Sequence, residues 1–131
     1  MVVRNPKSSA EFAWDLEREE VFMDPLGGGS YDIREAKRII VATPREVKQW
    51  PTTGGYLDYL QDAVEGAKQK PGIDPALVDD ELPLIATSER DGGIIIDGHH
   101  RLKKRLDRRA TNVPVVILTG EETERVRSRR V

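Results

Sequence analysis

The sequence predicts an α+β protein, a small mixed β-sheet with helices packed on it. Two runs carry the sheet: Ile94-Ile95-Ile96 after a glycine pair, and the almost unbroken apolar stretch Val113-Pro114-Val115-Val116-Ile117-Leu118. The helices announce themselves by spacing. Leu57, Leu60, Val64 and Ala67 recur at three and four residues, and Leu102, Leu106 and Ala110 at four.

Taken in order, Ser8-Ser9-Ala10-Glu11 has capping-box spacing and is followed by Phe12 and Leu16, which predicts a first helix over 9–20 with an acidic face. Gly27-Gly28-Gly29 predicts a loop; no Lys-Ser/Thr follows to complete a P-loop. A short helix is expected over 30–38, and the β-branched run Ile39-Ile40-Val41-Ala42 reads as a buried strand. Thr43-Pro44-Arg45-Glu46 combines a cap, proline at the first helical position and glutamate three after the cap, a helix start with Val47 and Trp50 on its apolar side. The amphipathic helix over 55–69 ends at Pro71-Gly72 and Pro75. Leu82 to Thr87 and Gly93 to Asp97 form a hairpin about an Asp91-Gly92 turn, and a helix with a basic exposed side spans 98–109. The last strand, 112–118, is expected at the centre of the sheet, and Thr119-Gly120-Glu121-Glu122 opens a terminal charged helix.

Composition narrows the function classes. The 131 residues suit one ordinary domain, and the formal net charge of −2 gives no overall attraction for nucleic acid. The basic residues are instead local: Arg101, Lys103, Lys104, Arg105, Arg108 and Arg109 lie within nine positions. There is no cysteine, which removes disulfides, thiolate nucleophiles and zinc-cysteine sites together. No apolar run approaches the roughly 20 residues of a membrane-spanning helix, and no signal-peptide core is recognisable near Met1. The expectation is a cytoplasmic protein without membrane contact.

The chemistry concentrates at Asp97-Gly98-His99-His100-Arg101. A buried strand here delivers polar groups to the N-terminus of a helix, where unpaired backbone N–H groups and the macrodipole favour negative charge. Phosphate is therefore the first ligand to consider. Gly98 lets the backbone approach an anion, Arg101 offers a planar fork for phosphate oxygens, and His99 and His100 add donors. Other readings stand beside this one. Asp97 serves equally as a helix cap, His99 as a half-buried histidine beside the Leu102/Leu106 stripe, and the basic helix as a solvated face. A metal shared by His99 and His100 is disfavoured, because adjacent helical side chains diverge by about 100°. Trp14, Trp50, Tyr56 and Tyr59 read as core or interface rather than base-stacking platforms.

The motif Ile94-Ile95-Ile96-Asp97-Gly98-His99-His100-Arg101-Leu102, followed by Val113-Pro114-Val115-Val116-Ile117-Leu118, resembles the superfamily of ParB N-terminal domains and sulfiredoxins, also called ParB-like nucleases. The likeness covers roughly residues 37–119. With the patterns on either side it divides the chain into three parts: an N-terminal helical extension with a Gly-rich loop over 1–36, for which the family offers no counterpart, the ParB/sulfiredoxin-like domain over 37–119, and a charged C-terminal helix over 120–131. It also implies a nucleotide-phosphate site at Gly98, His99, His100 and Arg101. Sulfiredoxins carry Gly-Cys-His-Arg where this chain has His99 in place of the cysteine, so sulfinic-acid reduction is excluded. Partition proteins carry Gly-Glu-Arg-Arg, replaced here by His99 and His100. A branch of nucleotide-dependent free-serine kinases carries Asp-Gly-His-Thr-Arg, matching at Asp97, Gly98, His99 and Arg101.

The resemblance thus implies a nucleotide-dependent phosphotransferase or NTPase taking ATP, ADP or CTP, with Mg2+. Asp97 would hold the metal or accept a proton, His99 and His100 would assist, and Glu46 would supply a second carboxylate; Asp79, Asp80 and Glu81 are alternatives to Glu46. Two other readings accompany it. One is a metal-dependent DNA nuclease or DNA-binding protein using Lys103, Lys104, Arg105 and Arg108. The other is a non-enzymatic adaptor of phage or mobile-element type, with a protein partner or a second copy of itself.

Overall fold

The computed structural model describes residues 7–24, 29–66, 79 and 81–128. Among these residues seven strands and four α-helices follow in the order β1 (Val21–Met23), β2 (Ser30–Asp32), α1 (Ile33–Ala42), β3 (Lys48–Pro51), α2 (Gly55–Gly66), β4 (Leu84–Ala86), β5 (Ile95–Asp97), α3 (His99–Asp107), β6 (Asn112–Ile117), α4 (Gly120–Val126) and β7 (Arg127–Ser128). The strands make a four-stranded mixed sheet, β3-β6-β4-β5, and a three-stranded antiparallel sheet, β1-β2-β7. The α+β expectation holds at this level. As expected, β6 is central, pairing antiparallel with β3 and parallel with β4.

The four-stranded sheet separates two cores, and alternation along its strands assigns residues to each. On one face Ile85, Ile96, Val116 and Leu118 pack with Ile33, Ala36, Ile39 and Ile40 of α1, Tyr31 of β2 and Val126 of α4. On the other, Leu84, Ala86, Ile95, Val113 and Val115 pack with Leu60 of α2 and Leu102 of α3. The candidate motif follows from this second layer. Leu102 is fully buried, which pins the first turn of α3 against the sheet.

Three expectations are corrected. Residues 9–20 do not form a helix: the Ser8/Glu11 capping box is present, but it closes only a 3-10 turn over Ser9–Glu11. Beyond it Phe12, Trp14 and Leu16 are half-buried while Ala13, Asp15 and Glu17 are exposed, the period-two pattern of an extended chain lying on the core. Trp14 between Phe12 and Leu16 is the residue that a helical reading leaves on the wrong face. Among the described residues the N-terminal extension is accordingly helical only at the Ser9–Glu11 turn and at the start of α1, which runs across the expected boundary at 36/37.

Ile39-Ile40-Val41-Ala42 is the second half of α1, not a strand. The β-branched run suits a strand locally, but Ile33, Ala36 and Ile40 share one face at helical spacing and bury together, with Asp32 capping Glu35 N–H. Thr43-Pro44-Arg45-Glu46 opens no helix. The Arg45 backbone bonds to Ser9, Val47 N–H donates to the Lys7 carbonyl, and Glu46 bridges Ser8, so the segment continues into β3. The Arg45 guanidinium closes on both carboxylate oxygens of Glu122 and on the carbonyls of Thr43 and Ile117. A long-range ion pair has overridden a local start signal.

Two other expectations shift at their ends: residues 30–32 of the expected 30–38 helix are strand β2, with Asp32 capping α1, and the charged C-terminal helix stops at Val126, where Arg127 and Ser128 pair with β2 as β7. The helix over 55–69 is seen as α2, with 67–69 and its Pro71-Gly72 exit outside the described residues, as are Gly27 and Gly28 of the loop. The β4/β5 hairpin, α3, β6 and the Thr119/Glu122 capping box of α4 fall where predicted.

Candidate functional site

The β4/β5 pairing carries a bulge just before the motif. One step along β4, from Ile85 to Ala86, moves the partner two steps along β5, from Asp97 to Ile95, leaving Ile96 as an extra residue. Bulges bend a strand and re-aim the side chains after them. Asp97 is thereby delivered at the end of edge strand β5, directly before α3.

Gly98 makes the turn into the helix. Its φ of 101° lies in the left-handed region, and a Cβ there would stand 2.5 Å from Leu84 Cδ2 and 2.9 Å from Arg101 Nη2. Glycine is thus needed both for conformation and for room. The first intrahelical bond runs from Leu102 N–H to the Gly98 carbonyl, so the amides of His99, His100 and Arg101 precede it, and Gly98 supplies no side-chain cap.

The Arg101 guanidinium lies against Gly98, with Cζ 3.2 Å from the position of that absent Cβ. Its Nη2 donates to Asp97 Oδ2 and to the Pro83 carbonyl, each at 3.0 Å, and its Nε is buried without a hydrogen-bond partner. Both side chains of the pair are only 15% exposed, which puts it well out of bulk solvent. Asp97 does not cap the helix. It is an ion-pair partner of Arg101 beside the positive end of α3.

His99 stacks on Phe22 of β1, with ring centroids 5.0 Å apart and planes inclined by 18°. Burial holds the His99 imidazole below its ordinary range, the nearby Asp97 charge opposing and the His100 and Arg101 charges adding to the effect. A neutral ring near neutral pH offers one donor and one acceptor. His100 is partly exposed on the same first turn.

The remaining predicted residues are not gathered here. Glu46 is exposed and pairs with Lys48 just ahead of β3, the opposite edge of the sheet from β5. Three strand spacings of about 4.8 Å separate those edges, about 14 Å in all. Asp79 and Glu81 are exposed and joined by a turn bond, and Asp80 lies outside the described residues. On α3, Lys103 is paired with Asp107 and Arg105 donates to the Asn112 carbonyl, while Arg108, exposed, follows the end of the helix. Among the described residues no three His, Asp or Glu side chains come together as a cation site. Asp97, held by Arg101, does not make a resident metal centre by itself.

Two contributors to the site had no local signal. Phe22 comes from the edge of the other sheet, and the Pro83 carbonyl from the entry to β4. Val21-Phe22-Met23 shows strand-like alternation, but nothing in the sequence connects it to His99, 77 positions away in numbering.

No family model, curated protein or solved structure matches this chain. Its class is a small mixed α+β protein with two sheets and four helices among the described residues, none of them long and apolar enough to cross a membrane.

Proposed function

We propose that this protein binds a phosphorylated ligand, a nucleotide such as ATP, ADP or CTP, at the N-terminus of α3. One observation carries the reading: the helix starts on a glycine that provides no side-chain cap, and the guanidinium of Arg101 lies directly against that glycine. A helix start and a planar cation at one spot offer backbone donors, a dipole and a bidentate fork to the same anion. The resemblance of 94–102 to the ParB/sulfiredoxin superfamily points the same way. The activity that fits is nucleotide-dependent phosphoryl transfer or nucleotide hydrolysis. In it Arg101 and the α3 amides would bear the phosphate charge, and His99, with His100 beside it, would hold or pass a proton. Mg2+ would arrive on the nucleotide's phosphates rather than on a protein cage.

A thermal-shift panel of ATP, ADP, CTP, GTP and short duplex DNA, with and without Mg2+, tests this on the native chain and on Arg101→Gln. A nucleotide at 100 times its Kd should stabilise the native chain by about 2.7 kcal/mol. The variant should lose the response. Equal responses in both proteins, or a response to DNA alone, would overturn the reading; phosphate release in the same samples separates turnover from binding.

A further inference from the structure

Arg101, the strongest anion ligand of the proposed site, is already engaged by an anion of the protein itself. Asp97 Oδ2 accepts from its Nη2 at 3.0 Å, the Pro83 carbonyl takes the same nitrogen, and Nε is left buried without a partner. A guanidinium meets carboxylate best through two parallel N–H···O bonds. Here one nitrogen serves two acceptors while the neighbouring N–H goes unused, so the cation is held without being saturated. The bulge at Ile96 and the left-handed Gly98 are what bring the carboxylate round to this position, at the mouth of α3.

Resting on the nucleotide-phosphate reading, we propose that Asp97 is a built-in competitor: its carboxylate occupies Arg101 in the empty protein, and an incoming phosphate must displace it. The carboxylate has the charge and planar oxygens to stand in for part of a phosphate, and it sits where the helix dipole also favours an anion. A partly buried pair of this kind is costly to leave half-broken, so Arg101 is never an unpaired buried cation. A monoanion that offers Arg101 no more than Asp97 does gains little by replacing it, whereas a di- or triphosphate brings charge enough to engage Arg101 and the helix start together. Once displaced, Asp97 becomes an unpaired carboxylate beside the bound phosphates.

The test is calorimetric titration of ATP and of inorganic phosphate into the native chain, Asp97→Asn and Asp97→Ala, with chemical denaturation of each. Asp97→Asn keeps the shape and removes the charge. It should bind ATP at least tenfold more tightly than the native chain, and inorganic phosphate should gain by a comparable factor, because both must displace the same carboxylate. Asp97→Ala carries the same expectation, so the outcome does not depend on a single variant folding. A merely structural ion pair would lower stability and leave affinity unchanged. Binding to the native chain with equal or weaker affinity in both variants therefore overturns the competitor role and leaves the phosphate site standing. Absence of binding in all three proteins overturns the phosphate site, and the competitor role with it.

Discussion

At Gly98 two demands meet in one residue, a φ of 101° and a neighbour 2.5 Å from where a Cβ would be. Gly98→Ala should therefore destabilise the fold by about 3 kcal/mol, combining left-handed strain with overpacking against Leu84. Urea denaturation measures it, and a cost under about 1 kcal/mol would contradict the assigned geometry. His99 supplies a pH-dependent term. Its pKa is lowered by burial against its ordinary value of about 6.5, so the unfolded chain binds more protons below that pH than the folded one does. The contribution of His99 is complete above about pH 6.5 and is lost as pH falls from there toward its folded pKa. Glu122 and Asp15, whose pKa values are also lowered, act in the acidic carboxylate range below that window. His99→Gln should flatten the stability profile just below about pH 6.5, and an unchanged slope there would show that His99 is not buried as described.

Among the elements, the sequence was read best where a pattern is closed locally. The α2 stripe, the β4/β5 hairpin, the β6 run and the Thr119/Glu122 box each contain their own explanation. The misread elements were decided by partners far along the chain. Ile39 to Ala42 became helical because Ile33 and Ala36 extend the same buried face, and residues 12–16 became extended because Phe12 and Trp14 find the core by alternation. The segment after α1 turned on Arg45, whose partner Glu122 is 77 residues away. That pair, 15% and 13% exposed, ties the β3 entry to α4, and Arg45 holds the Glu122 carboxyl below its usual range. Glu122→Gln, which leaves a largely buried guanidinium without its counter-charge and weakens the α4 cap, should cost about 3 kcal/mol by thermal or chemical denaturation. A loss below about 1 kcal/mol would mean the pair is solvated.

Across the whole molecule, a single four-stranded sheet carries both cores, and the candidate site sits where one edge of it feeds α3. The sequence makes the strand, turn and helix of this candidate site legible because they are contiguous from Ile94 to Leu102. It did not disclose how the site is furnished. Phe22 reaches His99 from the three-stranded sheet, Pro83 lends a carbonyl to Arg101, and Glu46 lies on the far sheet edge. Such relations depend on strand order, which spacing along the chain does not encode. Asp97 and Arg101, four residues apart in the motif and each offered to a ligand by the sequence, are bound to each other in the fold.

A phosphate anion at the start of α3, as proposed, is open to direct observation by titrating the 15N-labelled protein with ATP and following backbone amide and arginine Nε–H resonances. Binding there should give saturable shifts that are largest at the amides of His99, His100 and Arg101 and at the Arg101 Nε–H. Saturable shifts centred elsewhere, or none at millimolar ATP, would contradict it.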